Sequence, residues 1–210
     1  MKKLILALSI SIASFVSGQI QDTVTVAPKK LYIKANALFL PVGILNAGLE
    51  YQLNRKMTIQ GEIFVSPWKS FAGKDAQVYM IGIDGRYYFK EAFKHWYVGA
   101  NLSAARFIIQ KYNYWGDGIY QYTPTSPVYN RADVYQDGYA IMLGAIVGYQ
   151  FQLSEKWNMD LFFGAGTIQS FYKGRVHGLD VRYDDDGRDW NKSGEFLPYK
   201  GGIMISYKLR

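Results

Sequence analysis

Residues 138–167 read GYAIMLGAIVGYQFQLSEKWNMDLFFGAGT, and this stretch decides the fold. From Tyr139 to Leu153 every second residue is large and apolar, while the residues between them are mostly glycine, alanine or amides. After the polar connection at 154–156 the alternation restarts at Trp157. A period of two predicts strands, and the short connection predicts an antiparallel hairpin. Each arm has about the 9–11 residues that a tilted strand needs to cross a bilayer.

The chemistry of the two rows indicates whether the apolar row faces lipid or the interior of a soluble protein. A soluble barrel or sandwich turns its large residues inward and usually carries charges on the opposite row. Here the opposite row is small and amide-rich, which suits the crowded inside of a narrow barrel. Tyr149, Phe151 and Trp157 gather at the turn, as amphipathic rings do at a membrane–water boundary. A membrane barrel is therefore predicted, and a soluble barrel is the alternative.

The composition excludes several classes of protein. A length of 210 residues suits one domain. There is no cysteine, which excludes disulfides, thiolate metal sites, cysteine nucleophiles and a lipid-modified N-terminal cysteine. The net charge of +7 includes Lys2 and Lys3, so removing both gives 7 − 2 = +5, spread without a basic block. That distribution argues against nucleic acid as a partner.

The N-terminus predicts export. Two lysines, an uncharged run from Leu4 to Val16 and small residues before Gln19 form the pattern of a secretory signal peptide cleaved after Gly18. The run is shorter than the ~20 residues of a spanning helix, so an anchoring helix is the weaker interpretation. The expected organisation is a signal peptide at 1–18, a periplasmic lead-in at 19–30 and an outer-membrane barrel at 31–210.

The same alternation recurs along the chain and predicts eight strands, at 31–39, 45–53, 57–66, 79–89, 96–105, 138–153, 157–167 and 197–209. In the last of these, Tyr199 falls on the outward row and Lys200 on the inward row. The connections alternate between short polar turns and longer loops, the longest being 110–136 and 173–195. Outer-membrane barrels have this asymmetry. The predicted fold is all-β: an eight-stranded antiparallel up-and-down transmembrane β-barrel with short periplasmic turns and two long outer loops.

The C-terminal segment resembles the insertion signal of outer-membrane barrels. Its pattern is polar-x-Gly-x-x-apolar-x-aromatic, carried by Lys200, Gly202, Ile205 and Tyr207. The chain ends on Leu209-Arg210 rather than on the common terminal phenylalanine. The resemblance implies periplasmic chaperones and the barrel-insertion machinery as partners, besides the lipids of the outer membrane.

The chain as a whole resembles small barrels of the OmpA or OmpX type. More narrowly, residues 30–210 are similar to the domain-of-unknown-function 3575 family. The similarity is carried by four short stretches, Asn46-Ala47-Gly48-Leu49-Glu50, Ser66-Pro67-Trp68, Arg86-Tyr87-Tyr88-Phe89 and Lys156-Trp157-Asn158. That family implies an architecture but no established activity.

Eight charged residues fall on the inward row, namely Lys34, Glu50, Glu62, Asp84, Arg86, Asp160, Lys200 and Lys208. Eight strands leave an interior just wide enough for side chains, so these charges are expected to pair and fill the lumen. Glu50 and Glu62 are expected to meet Arg86 or Lys34. A gated path or catalytic carboxylates are the alternatives.

The outer loops hold the candidate contact surface. The third loop carries seven aromatic residues: Tyr112, Tyr114, Trp115, Tyr120, Tyr122, Tyr129 and Tyr135. Exposed tyrosines can bind a protein or a glycan, although they can also extend the aromatic girdle. In the fourth loop, the acidic run Asp184–Asp189 lacks the EF-hand spacing and is expected to be a solvated loop tip.

The candidates for catalysis are few. The chain has two histidines, and His177 is expected near Asp180 with Ser170 on the strand below. No G-x-S-x-G motif supports a serine hydrolase. We expect an outer-membrane protein without catalytic activity or cofactor, serving a structural or surface-contact role through its loops. The alternatives are a lipid-modifying outer-membrane enzyme, a narrow channel and a soluble periplasmic ligand-binding barrel.

Overall fold

In a computed structural model of the chain, hydrogen bonds between the first strand, Leu31–Asn36, and the last strand, Asn191–Lys208, close the sheet into a barrel. The structure describes residues 28–70, 72–111, 116–184 and 187–210. The expected signal peptide, most of the expected lead-in, and Tyr112, Tyr114, Trp115, Asp185 and Asp186 lie outside these ranges. Within the described residues, no helix has the length and apolar character needed to cross a membrane.

The described part of the chain contains eleven strands: β1 Leu31–Asn36, β2 Leu45–Gln52, β3 Met57–Ser66, β4 Ala76–Tyr88, β5 His95–Ile109, β6 Ile119–Gln121, β7 Val128–Asn130, β8 Val134–Gln152, β9 Trp157–Val176, β10 Leu179–Arg182 and β11 Asn191–Lys208. Eight of them form the ring β1-β2-β3-β4-β5-β8-β9-β11, with every neighbouring pair antiparallel. The predicted up-and-down barrel of eight strands is confirmed.

The barrel has two different ends. The connections 53–56, 89–94 and 153–156 lie at one end together with both ends of the described chain, and we call this the turn end. The connections 37–44, 67–75, 110–133 and 177–190 lie at the other end, the loop end. The alternation in each strand then fixes which side chains face the lumen and which face outward.

Large apolar residues cover the outside of the barrel. Leu143 is 60% exposed and Phe163 is 55% exposed, whereas the alternate residues Met142 and Phe162 are buried. We call this surface the apolar belt; it includes Ile33, Leu49, Ile63, Ile81, Ile83, Val98, Leu102, Leu143, Val147, Leu161 and Phe163. The orientation is the reverse of a soluble barrel, in which the apolar row faces inward.

The strands differ greatly in length, which the sequence did not predict. β1 has 6 residues, whereas β8 has 19, β9 has 20 and β11 has 18. The long strands extend into the segments 110–136 and 173–195 that were expected to be loops, and the rest of those segments contains β6, β7 and β10. The loop end therefore has a high wall at β8, β9 and β11 and a low rim at β1 and β2.

A bulge in β11 gives Tyr199 an orientation opposite to the one predicted. Between Pro198 and Lys200 the register with β9 shifts, so the extra residue Tyr199 faces the lumen instead of the outside. Its hydroxyl donates to Asn101 Oδ1 at 2.7 Å. On the loop-end side of the bulge, the odd-numbered residues Glu195 and Leu197 face inward as well.

Candidate functional site

The lumen is built in layers, and an aromatic plug closes the turn end. Its buried residues are Tyr32, Tyr88, Ala92, Phe93, Tyr97, Ile146, Phe162 and Met204. Phe93 comes from the connection 89–94, which folds back into the barrel mouth, and its ring centroid lies 4.5 Å from that of Tyr32. Phe93 has φ of 68°, in the left-handed region that a bulky residue adopts only when packing holds it there.

A network of charges fills the layer above the plug. Lys34 Nζ lies 2.8 Å from Glu50 Oε2 and 2.6 Å from Asp160 Oδ2. Arg86 Nη1 lies 2.8 Å from the same Asp160 oxygen and 3.5 Å from Glu50 Oε2. All four side chains are 0% exposed. A buried charge without a partner is very unfavourable, so these four residues hold one another in place.

The network continues toward the loop end. Arg86 Nη2 lies 3.0 Å from Asp84 Oδ2, and Lys200 Nζ lies 2.8 Å from Asp84 Oδ1. Lys200 also donates to Glu62. The three cations and four carboxylates thus alternate in one connected chain across the lumen. It brings together seven of the eight inward charges named from the sequence, whereas Lys208 lines a separate cavity at the turn end.

Neutral groups complete the partners of the carboxylates. The hydroxyls of Tyr88 and Thr58 lie 2.7 Å and 2.6 Å from Glu50 Oε1. Tyr97 donates to Asp160 Oδ1 at 2.9 Å. Gly148 faces this Tyr97 ring so closely that a Cβ there would lie 2.4 Å from its hydroxyl oxygen. The close packing leaves a lumen filled by side chains at this level.

The sequence predicted part of this geometry correctly. Glu50 meets both Lys34 and Arg86, as expected. Glu62 instead pairs with Lys200, which comes from the last strand of the chain. The alternation within one strand shows which side chains face the lumen. It does not show which residue they meet across the lumen, because that depends on closure of the ring.

An apolar cavity of about 280 Å³ occupies the lumen above the network. Its lining comes from six strands and includes Phe64, Val78, Met80, Phe107, Ala140, Met142, Ile168 and Leu197. The sequence interpretation missed this cavity. A signal was present, because the inward residues of β4 and β5 change from aromatic, charged or amide groups near the turn end to apolar groups near the loop end.

The hairpin of β6 and β7 covers the upper, concave side of the high wall, and together with Tyr183 we call it the outer cap. Tyr120 and Tyr129 pack against the buried cluster of Val134, Val176 and Tyr183, and the rings of Tyr120 and Tyr183 are 4.9 Å apart. Tyr122 is 42% exposed. Tyr135 stacks on His177 at 4.3 Å. Of the predicted contact residues, Tyr120 and Tyr129 thus help to build the cap.

Two expectations for the outer loops were wrong. Asp184, the first residue of the acidic run, is buried rather than solvated, because it accepts from Gly174 N at 2.7 Å, from Arg182 Nε at 2.7 Å and from Asn191 Nδ2. Residues 187–189 of the same run are exposed, as expected. His177 pairs with Asp75 Oδ2 at 2.5 Å, not with Asp180.

Ser170 lies about 20 Å from His177 along β9, at ~3.3 Å per residue. Arg175 lies 3.7 Å from Asp180, which is the interaction that the sequence had assigned to His177. Ser170 and His177 are therefore not paired.

The residues of the C-terminal pattern all lie on β11. Lys200 and Gly202 face the lumen, and Ile205 and Tyr207 lie on the opposite face. Gly202 has φ of 148°, and a Cβ there would lie 2.3 Å from the Asn36 amide nitrogen. Only glycine fits this position, because β1 and β11 meet there to close the barrel.

Aromatic rings border the apolar belt on both sides. At the turn end the pairs Trp96–Tyr149 and Trp157–Tyr207 have centroids 5.2 Å and 4.9 Å apart. Toward the loop end, Tyr139 stacks on Phe171 at 5.0 Å. Ten residues of β8 separate Tyr139 from Tyr149, which on a strand tilted by ~40° corresponds to about 25 Å of height.

These features define a class: a closed, eight-stranded antiparallel barrel with a filled lumen and an apolar exterior. Within it, the chain belongs to the family described as Protein of unknown function (DUF3575), whose model matches residues 4–209. The family resemblance found in the sequence is thereby confirmed, while the likeness to OmpA-type and OmpX-type barrels stays a prediction. A comparison with curated proteins gave no match.

Proposed function

We propose that the protein is an integral outer-membrane barrel without catalytic activity, exported through a cleaved signal peptide. It serves a structural or surface-contact role, with the turn end in the periplasm and the loop end outside the cell. The observation that carries this proposal is the apolar belt between two borders of aromatic rings on a closed barrel. A belt about 25 Å high matches the apolar band of transmembrane barrels.

Exposed apolar surface of this extent supports burial in lipid. Monomeric soluble proteins rarely expose contiguous apolar patches beyond a few hundred Å². Ile81 on β4 is 66% exposed, Phe163 on β9 is 55% exposed and Leu49 on β2 is 50% exposed, so the exposed apolar surface extends around the ring. Around most of the ring, neighbouring strands also satisfy each other's backbone groups, as lipid requires.

The filled lumen supports a protein that does not conduct ions. The aromatic plug and the paired charges occupy the bore at two successive levels. Planar-bilayer recordings of the purified barrel should therefore give no discrete conductance steps. Steps that change in Glu50→Ala or Arg86→Ala would favour the channel alternative instead.

The outer cap supports a contact role. Alternation in its hairpin turns Tyr120 and Tyr129 toward the barrel and presents Ile119 and Val128, 69% and 52% exposed, on the other face. Apolar side chains that project beyond the belt have no lipid to cover them, which suits contact with a protein.

Membrane integration is tested by fractionation and by gel migration. The full-length chain should sediment with outer membranes, resist carbonate extraction and migrate faster before boiling than after it. A matched chain that lacks residues 1–18 should stay in the cytoplasm. Recovery of the mature protein in the soluble periplasmic fraction without detergent would contradict the proposal.

Topology is tested by two epitope insertions. A tag after Pro124, at the tip of the outer cap, should bind antibody on intact cells. A tag after Asn54, in a turn-end connection, should bind only after the outer membrane is permeabilised. The reverse pattern would overturn the assigned orientation.

A further inference from the structure

The barrel wall has a gap between β1 and β11. Their pairing ends at Asn36 and Met204, and the last backbone hydrogen bond runs from Ala37 N to Ile203 O. β11 then continues to Asn191, paired with β9 on its other side. Within the residues that the structure describes, no strand pairs with β11 on the β1 side above this point. From Ile203 to Glu195 this edge rises about 20 Å on a tilted strand.

The gap lies within the apolar belt. On β11, Tyr207 marks the turn-end border, and Phe196 lies on the exterior near the loop-end border, 75% exposed. The edge between Ile203 and Phe196 therefore falls in the loop-end half of the belt. In the proposed orientation this half meets the outer leaflet.

Two features keep the edge from taking up a further strand. Pro198 has no backbone N–H to donate, and proline in sheets is confined to edges and bulges. The bulge between Pro198 and Lys200 interrupts the register. Natural sheets use both features to block strand addition at an edge.

On the β1 side of the gap, the chain stays close to the low rim of the barrel. Trp68 Nε1 donates to Gly43 O at 2.8 Å, which ties the connection 67–75 to the connection 37–44. The rings of Phe39 and Phe64 meet edge to face at 5.5 Å and line this side. The gap is therefore bordered by aromatic rings on one side and by the β11 edge on the other.

Behind the gap lies a second cavity of about 370 Å³, lined by residues of both borders, including Phe39, Phe163, Pro198 and Gly201. Asn46 and the ion pair of Glu62 with Lys200 line the same cavity. It shares Phe64, Met80 and Tyr199 with the apolar cavity inside the barrel. The two cavities are thus adjacent and lead from the outer surface of the wall to the apolar part of the lumen.

We infer that the gap admits one hydrocarbon chain of a membrane lipid from the outer leaflet into the apolar cavity. This inference rests on the proposed membrane location. Open strand edges do not occur in the hydrocarbon region unless the backbone is covered or lines a cavity, and here the edge lines one. The lining is mainly apolar, which suits the methylene groups of an acyl chain.

The size of the cavity sets the length of chain that it takes. A cavity of ~150 Å³ lined by apolar side chains binds benzene. On that scale the 280 Å³ of the inner cavity admits roughly ten to twelve carbon atoms. The charge network, which begins at Lys200, forms a polar floor that an acyl chain does not cross.

The Lys111–Glu195 ion pair lies on the lining of the same cavity, with nitrogen and oxygen 3.0 Å apart. Glu195 lies on β11 on the loop-end side of the gap. The ion pair therefore stands on the loop-end side of the chain path, where a lipid headgroup would remain.

The experiment uses the mature barrel in nanodiscs of phosphatidylcholine that carries a diazirine on one acyl chain. After illumination, mass spectrometry identifies the labelled residues. Labels are expected on outward residues such as Ile83 and Leu143, and also on the lumen-facing residues Met80 and Met142. A second sample receives a diazirine fatty acid from water, in nanodiscs of unlabelled lipid.

Two adjacent alanines of β5 give a matched pair of variants. Ala105 lines the inner cavity and Ala104 lies on the outside of the wall. Ala105→Trp should lower labelling of Met80 and Met142 at least fivefold and leave outward labelling unchanged. Ala104→Trp should change neither. If Ala105→Trp does not fold, the labelling pattern of the natural chain decides alone.

The outcomes separate the two proposals. Outward labels without inward labels would overturn lateral entry and leave membrane insertion intact. The absence of outward labels would overturn membrane insertion itself. Inward labels from the added fatty acid but not from the phospholipid would overturn entry through the gap, because the chain would then arrive from water.

Discussion

Asp160 illustrates how this barrel accommodates charge at the scale of single residues. Its carboxylate receives Lys34, Arg86 and Tyr97 at distances from 2.6 to 2.9 Å, and it is fully buried. A carboxylate can be buried when every lone pair that water would have occupied has another donor. The alternation of the strand predicted that Asp160 faces inward, but its partners come from three other strands.

Replacement of Asp160 by alanine should lower the free energy of unfolding by about 3–5 kcal/mol, because two buried cations lose a shared partner. Urea titration of the barrel in lipid vesicles measures this change. Glu155→Ala, an acid in the exposed connection 153–156, is the matched control and should stay within about 0.5 kcal/mol of the natural protein. A loss below about 1 kcal/mol for Asp160→Ala would show that the network does not stabilise the barrel.

Glu91 gives a pH dependence at the turn end. A hydrogen bond from Lys94 lowers the pKa of the Glu91 carboxyl below its ordinary value of 4.5, with Lys30 adding to the effect and burial opposing it. The pKa of the Glu91 carboxyl is lower in the folded protein than in the unfolded chain. The ionised carboxylate therefore stabilises the fold above about pH 5, and this stabilisation is lost as the pH falls through the folded-state pKa.

The difference in stability between the natural protein and Glu91→Gln should therefore shrink as pH falls from about 6 to 3. Because the ion pair is largely exposed, the difference should stay below about 1 kcal/mol at any pH. Paired urea titrations at each pH cancel the contributions of the other carboxylates. A constant difference across this range would contradict the assigned role of Lys94.

At the scale of elements, the turn-end connections do more than join strands. The connection 89–94 returns into the barrel and places Phe93 among Tyr32, Tyr88 and Tyr97. Ala92 N donates to Arg55 O at 2.8 Å, which fixes the connection to its neighbour 53–56. The sequence predicted a turn here, but a phenylalanine in a polar turn gave no sign that it would plug the lumen.

Phe93→Ala should lower the free energy of unfolding by about 3–5 kcal/mol, since it removes a buried ring. Phe93→Gly should cost less than Phe93→Ala by about 0.5–1 kcal/mol, because glycine adopts the positive φ without strain. This order is the reverse of the usual one. Equal or greater loss in the glycine variant, measured in the same urea titration, would argue against strain at this residue.

The lengths of the strands and the bulge in β11 were also not predicted from the sequence. Alternation continued past the predicted ends of β8 and β9, but a strand pattern does not state whether a neighbour exists to pair with. The shift at Pro198 reversed the facing of every residue above it on β11, which explains why Tyr199 was assigned to the wrong face. The gap in the wall follows from these two features together.

At the scale of the whole molecule, the proposal of a membrane barrel predicts how the exterior tolerates charge. Ile83 lies on β4 midway between Tyr79 and Tyr87, at the centre of the apolar belt, and is 46% exposed. Leu179 on β10 lies outside the ring and is 55% exposed. If the barrel were soluble, both side chains would face water, and the protein would tolerate arginine equally at either position.

In a bilayer, Ile83→Arg should lower the free energy of unfolding by about 2–4 kcal/mol. Leu179→Arg should change it by less than about 0.5 kcal/mol. Urea unfolding of both variants in lipid vesicles, followed by tryptophan fluorescence, measures the difference. Equal tolerance of both substitutions would favour the soluble alternative.

The sequence by itself determined the number of barrel strands, the two faces of each strand apart from β11 beyond its bulge, and the identity of the charges in the network. These properties are local, because a period of two and the spacing of turns are written in consecutive residues. Only the tertiary structure decided the ion pairs, the plug, the apolar cavity and the gap between β1 and β11. Those depend on which residues meet across the lumen once the ring closes, and closure joins positions such as Glu62 and Lys200 that are far apart in the chain.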